Sequence, residues 1–266
     1  MPIQIRATGL TDVGRKRKMN EDSFTAADNI GLYVVADGMG GHAAGEVASR
    51  LAVEAILRHI SGAETGNDTA PSHAVTRSLD DDHPAPARRV LSAIRMANQE
   101  IVRSVHEDQS TRGMGTTVVL AYIQGRRAYI GSVGDSRAYL VRGGRIMQLT
   151  DDHTFVNEQV RAGTLSPAEA RRHPARNILT RAVGSQDEVE ADLVEQDLEA
   201  GDLLILCSDG LTTMVDDHDT LDVVRRQGGD PDRGCQALIN LANERGGDDN
   251  ITAILIQAGP PAAPPA

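Results

Sequence analysis

Apolar residues along this chain follow two rhythms, and each predicts a different element. The first is a set of short runs, "LYVVA" (32–36), "TTVVLAYI" (116–123), "RAYIGSV" (127–133), "RAYLVR" (137–142), "DLLILCS" (202–208) and "ITAILI" (251–256). Their length and their content of Val, Ile, Thr and Tyr mark them as strands. Gln124-Gly125 and Gly143-Gly144 lie between strand-like stretches, the signature of tight hairpins and hence of antiparallel sheet. The second rhythm is helical. Val90, Ile94, Ala97, Ile101 and Val105 recur every three or four positions and so share one helix face. Another stripe, Val47, Leu51 and Ala55, starts after Gly45, and a third consists of Cys235, Leu238 and Ala242.

Between 153 and 184 the pattern changes to short helices. Gly163 is placed to stop one, and "SPAE" (166–169) to start another, with Ser at the cap, Pro in the first turn and Glu closing the capping box. Residues 61–86 are rich in Gly, Ser, Thr, Asp, His and Pro without periodicity, and read as a surface insertion. Residues 259–266 form a Pro/Ala-rich tail. Hairpins mixed with helices that do not alternate strictly with strands predict an α+β domain over residues 1–258.

Composition narrows the function. Acidic residues outnumber basic ones 38 to 27, and a net charge of −11 repels a phosphate backbone, which argues against nucleic acid as a partner. Aromatics make up only 2% with no Trp, so the core is built from Val, Leu, Ile and Ala. Cys207 lies inside an apolar run and Cys235 on a helix stripe, with no C-x-x-C pair, so both are expected as buried thiols rather than a disulfide. No run approaches the roughly 18 apolar residues of a membrane span, and a cytoplasmic protein is expected. The end "GPPAAPPA" is where a linker to an anchored parent would begin.

The chemistry lies where the strands stop. Asp37 follows "YVVA", Asp135 follows "YIGSVG", Asp209 follows "LLILCS", and Asp249 stands just before "ITAILI". A carboxylate abutting an apolar strand must be paired, hydrogen-bonded or bound to a cation to offset its dehydration, and strand ends from distant segments can converge at one sheet edge. Asp37-Gly38 and Asp209-Gly210 are also hairpin signals, but neither pair leads into an alternating return strand. Clustered oxygen ligands suit hard divalent cations, Mg²⁺ or Mn²⁺, rather than zinc. Glycine at 38 would let its carbonyl approach such an ion closely. In "GRKRKMNEDS" (14–23), Arg17 precedes Glu21-Asp22, and an arginine beside a carboxylate–metal cluster is suited to holding a phosphate dianion.

In that order, "GRKRKMNED", "VVADGMGGHAAGE", "GMGTTVV", "GDSRAYL", "ILCSDGL" and "GGDDNITAILI" resemble the metal-dependent serine/threonine protein phosphatases of the PPM or PP2C type, especially their bacterial members, over most of residues 14–256. The resemblance implies a four-layer α-β-β-α sandwich, two central antiparallel sheets flanked by helices. It implies two Mn²⁺ or Mg²⁺ ions bridged by Asp37, with the Gly38 carbonyl on one ion and Asp209 and Asp249 on the other. Asp22, with Glu21, would orient metal-bound waters, and Asp135 would help hold a third, looser ion with Asp209 and Asn177. By that resemblance two cations roughly 3.5–4 Å apart would acidify a water as the nucleophile, and Arg17 would grip the nonreacting oxygens. Where some relatives carry a histidine after the Asp-Gly pair this chain has Met39, which leaves His42 or a metal-bound water as the proton donor. Residues 153–184 correspond to the family's flap. The expected partners are phosphorylated proteins and a cognate Ser/Thr kinase, with neither nucleic acid nor membrane, and the chain is expected to be a monomer.

Other readings of the same residues make demands of their own. A noncatalytic phosphoprotein-binding module of the same fold would bind without metal. A dinucleotide-binding oxidoreductase fits Gly38-x-Gly40-x-x-Ala43, but requires a second parallel strand ending in an acid about 20 residues on, where this chain reads as helix. A P-loop motif is absent, and neither cysteine has an arginine six positions later, where Thr213 and Leu241 stand.

Overall fold

Strands that are apolar on both faces need cover on both faces, and the computed structural model shows how it is supplied. It describes residues 3–40, 44–64, 83–108 and 111–259. One sheet runs β1 (Gln4–Asp12), β11 (Ile251–Gly259), β10 (Leu203–Cys207), β7 (Arg137–Arg142) and β8 (Arg145–Gln148). The other runs β2 (Asp22–Ala27), β3 (Leu32–Met39), β5 (Val118–Gln124), β6 (Arg127–Val133) and β9 (Asp192–Asp197), with the short β4 (Gly115–Thr116) paired to the end of β3. Every pairing between these strands is antiparallel. Antiparallel neighbours on both sides of β3 remove the dinucleotide-binding alternative.

The strand period of two sorts side chains into layers. Leu32, Val34 and Ala36 of β3 face α1 (Ala44–Glu64) and α2 (Ala85–Glu107), together with Val118, Leu120 and Tyr122 of β5. Tyr33 and Val35 point the other way and meet Leu204, Leu206, Ile254 and Ile256 of the facing sheet. On the far side, Leu203, Ile205 and Cys207 pack against α5 (Asp209–Thr212), α6 (Asp217–Arg226) and α7 (Pro231–Glu244). The result is the expected helix–sheet–sheet–helix sandwich. Both cysteines are buried and free, Cys235 on the α7 stripe with Leu238 and Ala242.

The remaining helices, α3 (Phe155–Arg161) and α4 (Pro167–Ala170), form the predicted excursion, and Ser166 and Glu169 make the full capping box. The insertion is narrower than 61–86, since α1 runs through Glu64 and α2 begins at Ala85; most of that stretch, the tail from 260 onward and His42 lie outside the described residues. Among the described residues no helix is long and apolar enough to cross a membrane.

Candidate metal centre

Four acids expected at strand ends stand together because two sheets end at the same place. Asp22 and Asp37 are register partners across β2 and β3. Asp135 sits in the link between β6 and β7, where the chain leaves one sheet for the other past Gly134 (φ +102°). Asp209 opens α5 directly after β10, and Asp249 precedes β11. Asp22 ties the sheets together: its Oδ2 accepts hydrogen bonds from Thr252 Oγ1 at 2.6 Å and Ser208 Oγ at 2.8 Å, both from the opposite sheet's end. The Asp37 backbone is fixed by Thr116 and Thr117, whose hydroxyls bond its carbonyl and amide at 2.9 and 3.0 Å.

Neither Asp-Gly pair makes a hairpin: β3 continues to Met39, and Asp209 begins a helix. The glycines answer to backbone crowding. A methyl on Gly38 would lie 2.0 Å from the Gly45 carbonyl oxygen, and one on Gly210 would lie 2.0 Å from that of Asn250. Gly38 is thus required by the approach of α1 to β3, whatever its own carbonyl binds.

The electrostatics are those of a cation site. Glu21 Oε1, Asp22 Oδ1 and Asp209 Oδ1 are buried with no hydrogen-bond partner. Burial, then repulsion from Asp22, Asp209, Asp135 and Asp249, drives the Asp37 carboxyl well above the usual carboxylate range. Burial pushes Asp22 up to about 7 even against its two hydroxyl donors. Asp135 is likewise pushed up to about 7, by burial and then by Asp209 and Asp152, and Asp209 is raised by burial and then by Asp249. Carboxylate oxygens buried without partners and this much mutual repulsion are relieved by protons or by a cation, and an all-oxygen donor set fits hard divalent ions.

Arg17 stands at the rim, half-exposed, with Nη2 on Asp249 Oδ2 at 2.6 Å. Its loop is held by a residue that sequence reasoning misses. The Asn250 carboxamide accepts from the Glu21 amide at 2.7 Å and donates to the carbonyls of Val13 and Met19 at 3.0 and 2.9 Å. Thr117, Ser208 and Thr252 are missed in the same way; only Ser208 adjoins one of the acids in sequence.

A cavity of ≈ 1170 Å³ adjoins the acids, lined by Asp135, Asp209, Asn177, Arg171 and Arg176 among others. The sequence-predicted residues therefore fall in three groups. Asp22, Asp37, Asp135, Asp209, Asp249 and Arg17 come together, exposed Asn177 lines the same cavity from the 153–184 segment, and His42 lies outside the described residues.

Comparisons with known proteins agree with this fold. Residues 14–238 match the family model for protein phosphatase 2C. The serine/threonine phosphatase stp of Listeria welshimeri is 37% identical over 250 residues, covering 93% of each chain. The crystal structure of the Mycobacterium tuberculosis serine/threonine phosphatase PstP/Ppp superposes with a TM-score of 0.82 at 36% identity, covering 96% of this chain and 99% of that one. A structure of the PstP catalytic domain in complex with two manganese ions gives a TM-score of 0.79 at 35% identity, with 96% and 98% covered. The chain belongs to the protein phosphatase 2C family, the PPM-type serine/threonine protein phosphatases.

Proposed function

We propose that this protein hydrolyses phosphoserine and phosphothreonine on proteins at a site built by Asp37, Asp209, Asp249, Asp135, Asp22 and the Gly38 carbonyl around Mn²⁺ or Mg²⁺. The observation that carries the reading is the meeting of buried and partly buried acids from separate strand ends, three carboxylate oxygens there being buried without partners, beside an arginine. The manganese-bound PstP domain supports the choice of ion. Such an ion pair supplies an acidified water as nucleophile and offsets charge on the phosphoryl oxygens.

The chain's own residues then divide the work. Asp37, the register partner of Asp22, would hold both ions, with Asp209 and Asp249 supplied from the end of the opposite sheet. Arg17 is held at the rim by Asp249 and presents a planar fork to the nonreacting phosphoryl oxygens. Glu21 and Asp22 keep oxygens free to orient water in line with phosphorus. Asp135, which lines one cavity with Asn177, would hold a third, looser ion. The leaving alkoxide takes its proton from His42 or from water. The partners are phosphoproteins and the kinase that opposes this activity.

The test is hydrolysis of a small aryl phosphate and a phosphothreonine peptide with Mn²⁺ and with chelator, alongside calorimetry of Mn²⁺ binding. Chelator is expected to abolish turnover, and Asp37→Asn to lower kcat by about a thousandfold or more, the loss of several kcal/mol of transition-state stabilisation. Full turnover in metal-stripped enzyme would refute the reading, as would phosphopeptide binding unchanged by chelator with no hydrolysis.

A further inference from the structure

His153 takes no part in the site as proposed, yet it is only 4% exposed and all its hydrogen-bonding groups are engaged. Its Nδ1 accepts from the Gly134 amide at 3.1 Å, and its own amide donates to the Gly134 carbonyl at 2.9 Å. Because Nδ1 is an acceptor, the ring proton is on Nε2, which faces Asp192 Oδ2 at 3.2 Å. Arg181 Nη1 holds the other oxygen of Asp192 at 2.9 Å. The His153 carbonyl accepts from the Thr180 amide at 2.9 Å, where the excursion carrying α3 and α4 returns to the sheets.

Gly134 is the residue before Asp135, and Ser136 after it bonds Thr117 Oγ1 at 2.7 Å, the hydroxyl that also holds the Asp37 amide. The 134–136 link is thus fastened on one side to Asp37 through Thr117 and on the other to the flap segment through His153. A backbone held by a satisfied, buried imidazole is far more restrained than a free surface link, because breaking the contact strands a buried donor.

We infer that His153 is a positioning residue that clasps the Gly134–Ser136 link to the base of the flap segment, and so sets where Asp135 presents its carboxylate. The clasp is a contact of this chain's own residues; its consequence for ion binding rests on the proposed phosphatase function. Disturbing the clasp loosens Asp135 and the flap base together, while the acids on β2, β3 and α5 keep their supports.

Hydrogen exchange on the metal-free protein tests the clasp, and Mn²⁺ calorimetry tests its consequence. His153→Leu removes the acceptor at similar volume, whereas His153→Asn keeps an oxygen near the place of Nδ1. In H153L the Gly134 and Thr180 amides are expected to exchange about tenfold faster or more, with Val119 and Leu120 amides unchanged, and H153N is expected to stay close to wild type. The weakest Mn²⁺ binding step should weaken about tenfold in H153L with tighter steps unchanged. Wild-type exchange at Gly134 in H153L, or uniform acceleration across β5, overturns the inference. Should H153L fail to fold, Asp192→Ala removes, from a half-exposed position, the acceptor that orients the ring; unchanged Gly134 exchange there overturns it equally. A wild-type protein that binds no Mn²⁺ refutes the proposed function instead, and the exchange comparison still decides the clasp.

Discussion

Asp22 is the residue where structure and charge conflict most openly. Its Oδ2 is fully used by Thr252 and Ser208, its Oδ1 has no partner, and it faces Asp37 across the ladder. Asp22→Asn keeps an acceptor for both hydroxyls and turns an amide toward the neighbouring acids. Metal-free D22N is therefore expected to melt about 3 °C or more above wild type at pH 8, with a smaller gain on adding Mn²⁺, read by calorimetry. Arg17 poses a different question, since it is exposed enough to meet substrate and, among the described residues, hydrogen-bonds the rim acid Asp249. Arg17→Ala is expected to raise KM for small aryl phosphates about tenfold with a lesser change in kcat, the loss of charge-assisted hydrogen bonds made in the ground state as well. Collapse of kcat at constant KM would reject that role. The acids themselves are legible in the sequence because an aspartate beside an apolar strand is conspicuous. Asn250 and the hydroxyls are not, since a small polar residue near a strand end is ordinary until its partners, distant in the chain, are known.

Among elements, the strands that pattern reveals are the interior ones, β3, β5, β6, β7, β10 and β11, and those lacking a recognisable run are the edges β1, β2, β8 and β9. Interior strands are covered on both faces and read as unbroken apolar runs; edge strands such as "DLVEQD" carry polar residues toward solvent and lose the signal. The helix α2 illustrates how tight the interior contact is. A methyl on Gly131 of β6 would lie 2.7 Å from Val90 Cγ1 and 2.8 Å from Ile94 Cδ1. Gly131→Ala is expected to cost about 1–3 kcal/mol in denaturant unfolding while leaving kcat near wild type, since it separates α2 from its sheet rather than moving an acid. The connection from β6 to β7 carries neither of the hairpin turns that the pattern marks; it crosses between sheets, and that crossing delivers Asp135.

For the molecule as a whole, the acidic site makes stability depend on pH in the reverse of the usual carboxylate sense. Asp22 and Asp135 are pushed from an ordinary value of 3.8 up to about 7 in the folded state, so the native protein holds protons that the unfolded chain has released. Without metal, stability is therefore expected to fall as pH rises from about 4 to about 7, and the melting temperature with it. Mn²⁺ should reverse the slope at its upper end by replacing those protons, giving its largest stabilisation near pH 8, measured by thermal melts across the range. A metal-free melting temperature that rises over the same window would contradict this charge balance.

The sequence by itself determined the class of fold, the interior strands, the helix stripes and the identity of the acids, because burial and charge leave local marks that a short window of residues carries. Tertiary structure alone decided that the ends of two sheets coincide, that Asn250 and His153 fasten the loops bearing Arg17 and Asp135, and that the Asp-Gly glycines make room for another segment's backbone. Those facts are contacts between residues far apart in the chain, and no local pattern of apolar and polar positions encodes a partner's distance.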